Sequence, residues 1–180
     1  MKGYSERCVF LPSVIRLHTL LSKVIDQFDS NSSTINLGES RNELRCHELA
    51  RAVKRFMTHG NFPYHLHPAN VTLLDGKYGL VDHSWLELFC KSPEGLCSLY
   101  ILDVYAVGQL PQVQLLDTTF QLPHRANYKP GARRDDINMR IVNLVFLDFM
   151  SIASKYSIPN SSGLNHDAVG ILAPTKEDCD

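Results

Sequence analysis

The chain has no apolar run approaching the ~18 residues of a membrane span or a signal-peptide core. Arg7, Pro12, Arg16, His18 and Lys23 already interrupt its first stretch. It also has little net charge: 18 Lys and Arg stand against 19 Asp and Glu, a formal charge of -1. No global field therefore draws it to nucleic acid or to anionic lipid, and neither is expected as a partner. There is no Gly-x-Gly-x-x-Gly and no Walker loop, so nucleotide chemistry has no support. Cysteine pairs of the C-x-x-C kind are missing too. The five cysteines, at positions 8, 46, 90, 97 and 179, are odd in number and too sparse for a disulfide framework. Free thiols in a reducing, cytoplasmic compartment are the expectation.

What remains is a composition with 44% hydrophobic residues in 180, enough for one domain with a real core. Residues 1–160 are expected to form that domain and 161–180 a flexible polar tail. Val14, Leu17, Leu21, Val24, Ile25 and Phe28 recur at helical spacing, which predicts an amphipathic helix over 11–28. The polar run DSNSSTINLG then stops it. Ser40 and Glu43 have capping-box spacing, which predicts a second helix from there to Thr58 with Gly60 as its stop. With Ser40 as cap, Cys46 falls in the second turn.

From Phe62 the pattern becomes extended. Asp75-Gly76 separates Val71–Leu74 from Tyr78–Val81 and reads as a hairpin turn. YGLVDHSWLELF and SLYILDVYAV flank the loop CKSPEGLC, giving at least three antiparallel strands, with a fourth over Val113–Phe120. Residues 121–136 read as a long polar connection, and Ile137, Ile141, Leu144, Val145, Asp148 and Ile152 predict a third helix ending near Tyr156. The expected fold class is α+β, with helices packed on an antiparallel sheet of three to five strands.

Within this frame the chain offers a helical cysteine (Cys46), a strand histidine (His83) and an aspartate on the next strand (Asp103). A register centred on Pro93 sets His83 opposite Asp103, Trp85 opposite Ile101, Glu87 opposite Leu99 and Phe89 opposite Cys97. Opposed side chains share a sheet face with Cβ atoms ~4.5–5.5 Å apart, close enough for a carboxylate to fix the tautomer of an imidazole. Cys46 then supplies a nucleophile, activated by the imidazole and by Arg45 and Arg51.

Those residues resemble the transglutaminase-like branch of the papain-like thiol enzymes. RCHELARAVKRFMTHGNFPYHLH, DHSWLEL and YILDVYAVG match its cysteine helix (Cys46, Ala50, Ala52), its Gly-x-Pro exit (Gly60, Pro63), its His-x-Trp-x-Glu strand (His83, Trp85, Glu87) and its strand aspartate (Asp103). The resemblance covers roughly 40–106. It implies a papain-like core, a catalytic Cys46–His83–Asp103 triad, thiol attack on an amide or thioester carbonyl, and a covalent acyl-enzyme resolved by water or an amine. No cofactor is implied. Peptidase, amidase, protein-glutamine deamidase and transglutaminase activities all follow that course, and the implied substrate is a protein or peptide, which also suits a delivered effector. Asn42 and Trp85 are the candidate substrate-binding residues; backbone amides at Cys46, with Asn42 or Asn36, are the candidate oxyanion donors.

Plainer readings exist for each residue. A helical cysteine is commonly a small buried hydrophobe, Trp85 a core aromatic under the helix, and Arg133-Arg134 a face neutralised by Asp135-Asp136. The competing class is a non-catalytic interaction module on the same scaffold that uses the 121–136 segment. Metal binding is the rival chemistry. His47-Glu48 opens like a zinc-protease helix, but Arg51 stands where the second histidine belongs; His65 and His67 with His59 or Cys46 form the other conceivable set, and no metal is expected.

Overall fold

A computed structural model describes residues 9–31, 34–59, 70–91, 97–104, 114–117 and 125–156. It is an α+β arrangement of three helices and a six-stranded sheet among those residues. The helices are α1 (Leu11–Ser30), α2 (Cys46–Met57) and α3 (Met139–Lys155). The strands are β1 (Val9–Phe10), β2 (Val71–Tyr78), β3 (Val81–Lys91), β4 (Cys97–Asp103), β5 (Gln114–Asp117) and β6 (Tyr128–Pro130). The order is β5-β4-β3-β2-β6, all antiparallel, while β1 pairs parallel with Cys90 and Lys91 of β3, beyond the point where β2 begins. No helix among the described residues is long and apolar enough to cross a membrane. Gly60, Pro63, His65, His67, Pro93 and the expected tail lie outside the described residues.

The helices cover one sheet face. Leu17, Leu21, Val24, Ile25 and Phe28 of α1, Leu49, Val53, Phe56 and Met57 of α2, and Ile141, Val145 and Phe149 of α3 close over Val71, Leu86, Leu88, Leu102 and Val104. Phe149 meets Phe28 and Phe56 edge-on, with ring centroids 5.1 and 5.7 Å away. The buried Asp148 accepts bonds from the backbone amides of Asn36 and Leu37 and from the Asn36 side chain, which ties the connection after α1 to α3. Asn36 is thereby committed to structure. The other sheet face carries a smaller cluster of Trp85, Ile101 and Tyr128, with Leu74 and Tyr78 packed against it. Trp85 thus lies on the face away from α2, not under it.

Four expectations are corrected. Ser40 does not cap α2: residues Gly38–Glu43 form a 3-10 turn, Leu44 and Arg45 are extended, and the helix begins at Cys46. The reason is Arg41, whose guanidinium donates to the carbonyls of Phe28, Asp29 and Asn31 at the end of α1. The turn is thereby spent on finishing one helix, not on starting the next. Second, Asp75-Gly76 is strand interior. The hairpin turns at Gly79-Leu80, with Tyr78 paired to Val81 and Gly79 at φ +61°. Gly76 is needed for another purpose: a Cβ there would stand 2.1 Å from the Lys129 carbonyl oxygen of β6. Third, the β3–β4 ladder is displaced by two residues, pairing Glu87 with Ile101 and Phe89 with Leu99. An even displacement preserves the face, so His83 and Asp103 still point the same way. Fourth, the 121–136 connection is not all loop, because Tyr128–Pro130 adds β6 to the sheet.

Gly76→Ala should push β6 off its neighbour and cost about 1–3 kcal/mol. Urea unfolding monitored by Trp85 fluorescence measures that loss.

Candidate active site

Cys46 occupies the first position of α2, so its sulfur sits where the helix presents uncompensated amides. The preceding residue, Arg45, makes no side-chain cap to those amides. Its guanidinium instead grips the fully buried Glu48, at 3.0 and 2.5 Å, and donates to the side chain and carbonyl of Asp136. Glu48 also accepts from the amide of Asn138, the residue that caps α3. Its burial works against ionisation, but the bonds from Arg45 and Asn138 outweigh it and hold the carboxyl below its ordinary range. The first turn of α2 is thus locked to the start of α3.

β3 alternates about this point. Ser84, Leu86 and Leu88 serve the helical side, while His83 and Trp85 serve the opposite cluster. The Cys46 sulfur lies 3.9 Å from the Asp82 carbonyl oxygen, at the beginning of β3, and its charge is coupled to that of the neighbouring His83 imidazole. On its other side, His83 Nε2 is 2.8 Å from Asp103 Oδ2. Tyr128 donates to the same oxygen at 2.6 Å. Burial first, then the charge and bond of Asp103, push the Tyr128 phenol upward, which keeps it a donor. The rings of Tyr78, Trp85 and Tyr128 surround the imidazole, with Trp85 nearly parallel to it at 6.3 Å. Exposure decides which member of the trio meets solvent: Cys46 is 9% exposed, His83 and Asp103 each 1%.

Two opposing effects set the sulfur's charge. Burial raises the thiol pKa, but the influence of His47 and His83 on the sulfur prevails and brings it to about 6. For His83 the same contest runs the other way. Burial favours the neutral ring, while Asp103 and Cys46 favour the cation, and the pKa rises to about 9. Between those limits the pair is a thiolate beside an imidazolium.

Cys46, His83 and Asp103 are therefore brought together. Trp85 is wholly buried behind His83 and Asn42 is exposed on the 3-10 turn. Arg45 and Arg51 do not lend free positive charge, since carboxylates hold both. Arg134 bonds Asp136 and Asp82, as the mixed-charge run implies. Among the described residues there is no grouping of three or more potential metal ligands, and His65 and His67 are outside them. Sequence reasoning passed over Tyr128, Asp75, Ser84 and the position of His47. One signal was present: Ser84 is a lone polar residue in the Ser84, Leu86, Leu88 series.

Comparison with known protein families, curated proteins and solved structures finds no match.

Because the thiol loses its proton near pH 6, iodoacetamide labelling of Cys46 should rise through that pH and level off above it. An unperturbed cysteine rises only near ~8.5. Peptide mapping of the labelled protein checks the midpoint, and His83→Ala should raise it.

Proposed function

We propose that the protein is a thiol-dependent acyl-transfer enzyme with a papain-like, transglutaminase-like core, working through Cys46, His83 and Asp103. The observation that carries this reading is a cysteine at a helix start, electrostatically coupled to a buried imidazole whose Nε2 is 2.8 Å from a buried carboxylate. The Cys46 thiolate attacks an amide or thioester carbonyl. Electrons shift to the carbonyl oxygen, which the first-turn amides of α2 stabilise. As the tetrahedral species collapses, His83 gives its proton to the leaving amine or thiol, and an S-acyl bond to Cys46 remains. His83, now neutral, takes a proton from water or an incoming amine, which attacks the thioester and releases Cys46. Asp103 keeps Nε2 of His83 protonated and turned toward itself, so the other nitrogen faces sulfur.

Hydrolysis, deamidation and amine transfer differ only in the acceptor. A cleft of about 310 Å³, lined by Gly76, Lys77, Asp82, Lys129 and Arg134, adjoins the Asp82 residue that contacts the sulfur and offers room for part of a protein or peptide substrate. The chemistry calls on no cofactor, and a poised thiolate suits a reducing, cytoplasmic setting.

A peptide thioester offered to the protein should give a stoichiometric burst of released thiol, an acyl adduct on Cys46 by mass spectrometry, and then turnover. The turnover should be bell-shaped in pH, rising near 6 as the thiolate forms and falling near 9 as His83 loses its proton. Cys46→Ala should abolish it, and Asp103→Asn should lower it on the order of 10³-fold or more. An absent adduct throughout that range would sink the enzyme reading and leave a non-catalytic interaction module on the same scaffold.

A further inference from the structure

The helical face of the site holds a second polar chain that the triad does not use. His47 Nδ1 is 2.7 Å from Ser84 Oγ, Ser84 donates to Asp75 Oδ1 at 2.5 Å, and Arg51 clasps both Asp75 oxygens at 3.1 and 2.7 Å. The backbone amide of Arg134 completes the Asp75 shell at 3.0 Å. His47, Ser84 and Asp75 are all buried. Burial of Asp75 opposes its charge, yet Arg51, Ser84 and the Arg134 amide overcome this and keep it ionised.

Proton counting fixes the direction of every bond. The Asp75 carboxylate only accepts, so it takes the one hydroxyl proton Ser84 has. The Ser84 oxygen must then accept from His47, which places the proton of the neutral ring on Nδ1. That same nitrogen is 3.6 Å from the Cys46 sulfur. Nδ1 accordingly cannot receive the thiol proton; its single N–H, given to Ser84 at 2.7 Å, reaches the sulfur at 3.6 Å as the longer branch of a shared bond.

We propose that His47 is a positioning residue for Cys46, a donor whose Nδ1–H is fixed by the Ser84–Asp75–Arg51 chain and, bonded chiefly to Ser84, is shared with the sulfur and stabilises the thiolate. The assignment rests on the acyl-transfer reading, and it divides labour between two imidazoles: His83 moves the proton, His47 holds the charge. Arg51 also donates to the His47 carbonyl at 3.0 Å, so the chain is anchored at both ends of one helical turn. The ionisable groups about the sulfur are His47, Glu48 and Arg51 on α2, Arg45 just before it, Asp75 on β2, Asp82 and His83 on β3, and Asp103 on β4 through His83.

The test compares thiolate absorbance and iodoacetamide rate at Cys46 against pH in the intact protein and its variants. Losing a hydrogen bond to a charged group should raise the midpoint of His47→Leu by about one to two pH units, with ~10-fold slower labelling below it. His47→Asn, whose amide places a donor where Nδ1 stood, should recover most of that shift, and Ser84→Ala should give a smaller one. Nitrogen-15 NMR of the wild-type protein, which needs no variant to fold, should find the neutral His47 ring protonated at Nδ1. An unchanged midpoint in His47→Leu, an equal shift in the Asn and Leu variants, or a proton on Nε2 would each overturn the assignment. If those results came with a low wild-type midpoint that His83→Ala raises, only His47 would lose its role. A wild-type midpoint near ~8.5 that ignores His83→Ala would fail the acyl-transfer reading itself.

Discussion

The Asp75 carboxylate is the point on which the remaining geometry turns. It accepts from Arg51 on α2, from Ser84 on β3 and from the amide of Arg134 in the approach to α3, and its backbone carbonyl accepts from Gly131 after β6. A buried charge is costly to leave unpaired, and removing one partner of such a pair commonly costs ~3–5 kcal/mol. The arrangement therefore tolerates little slack. Because Arg51 lies just over one turn beyond Cys46, fixing its guanidinium to the sheet also fixes the rotation of α2 and so the height of the sulfur above β3.

β3 is asked to satisfy two interiors at once. Leu86 and Leu88 enter the core under the helices, while His83 and Trp85 enter the aromatic cluster on the far face. Burial on both sides explains how the imidazole is shielded from water without a covering helix: Tyr78, Trp85 and Tyr128 do that work, and the Tyr128 hydroxyl supplies Asp103 with a second donor. Glu48 plays the complementary part at the other end of the site, joining the turn that carries Cys46 to the cap of α3.

Much of this was legible in the residues, and the failures share a cause. α1 and α3 were readable because their apolar stripes are long and their other faces polar; the order Cys46, His83, Asp103 was readable because sheet parity survives a register displaced by two. What misled were residues whose local preference was overridden at long range. Asp75-Gly76 favours a turn locally, but one residue is consumed by Arg51 and the other by the close passage of β6. Ser40 with Glu43 has capping spacing, but Arg41 binds the end of α1 and reshapes the segment. Side-chain partners on distant elements set both outcomes, and a single sequence carries no mark of them.

β6 has a consequence for the border of the sheet. It borders the end of β2 with only three residues, of which Lys129 and Pro130 are exposed. A proline has no amide hydrogen to offer, and a charged neighbour discourages lateral pairing. Along those three residues an extended chain finds little ladder to join. Contact at that stretch falls to side chains, and so to the shape and charge of the adjoining cleft, more than to backbone pairing.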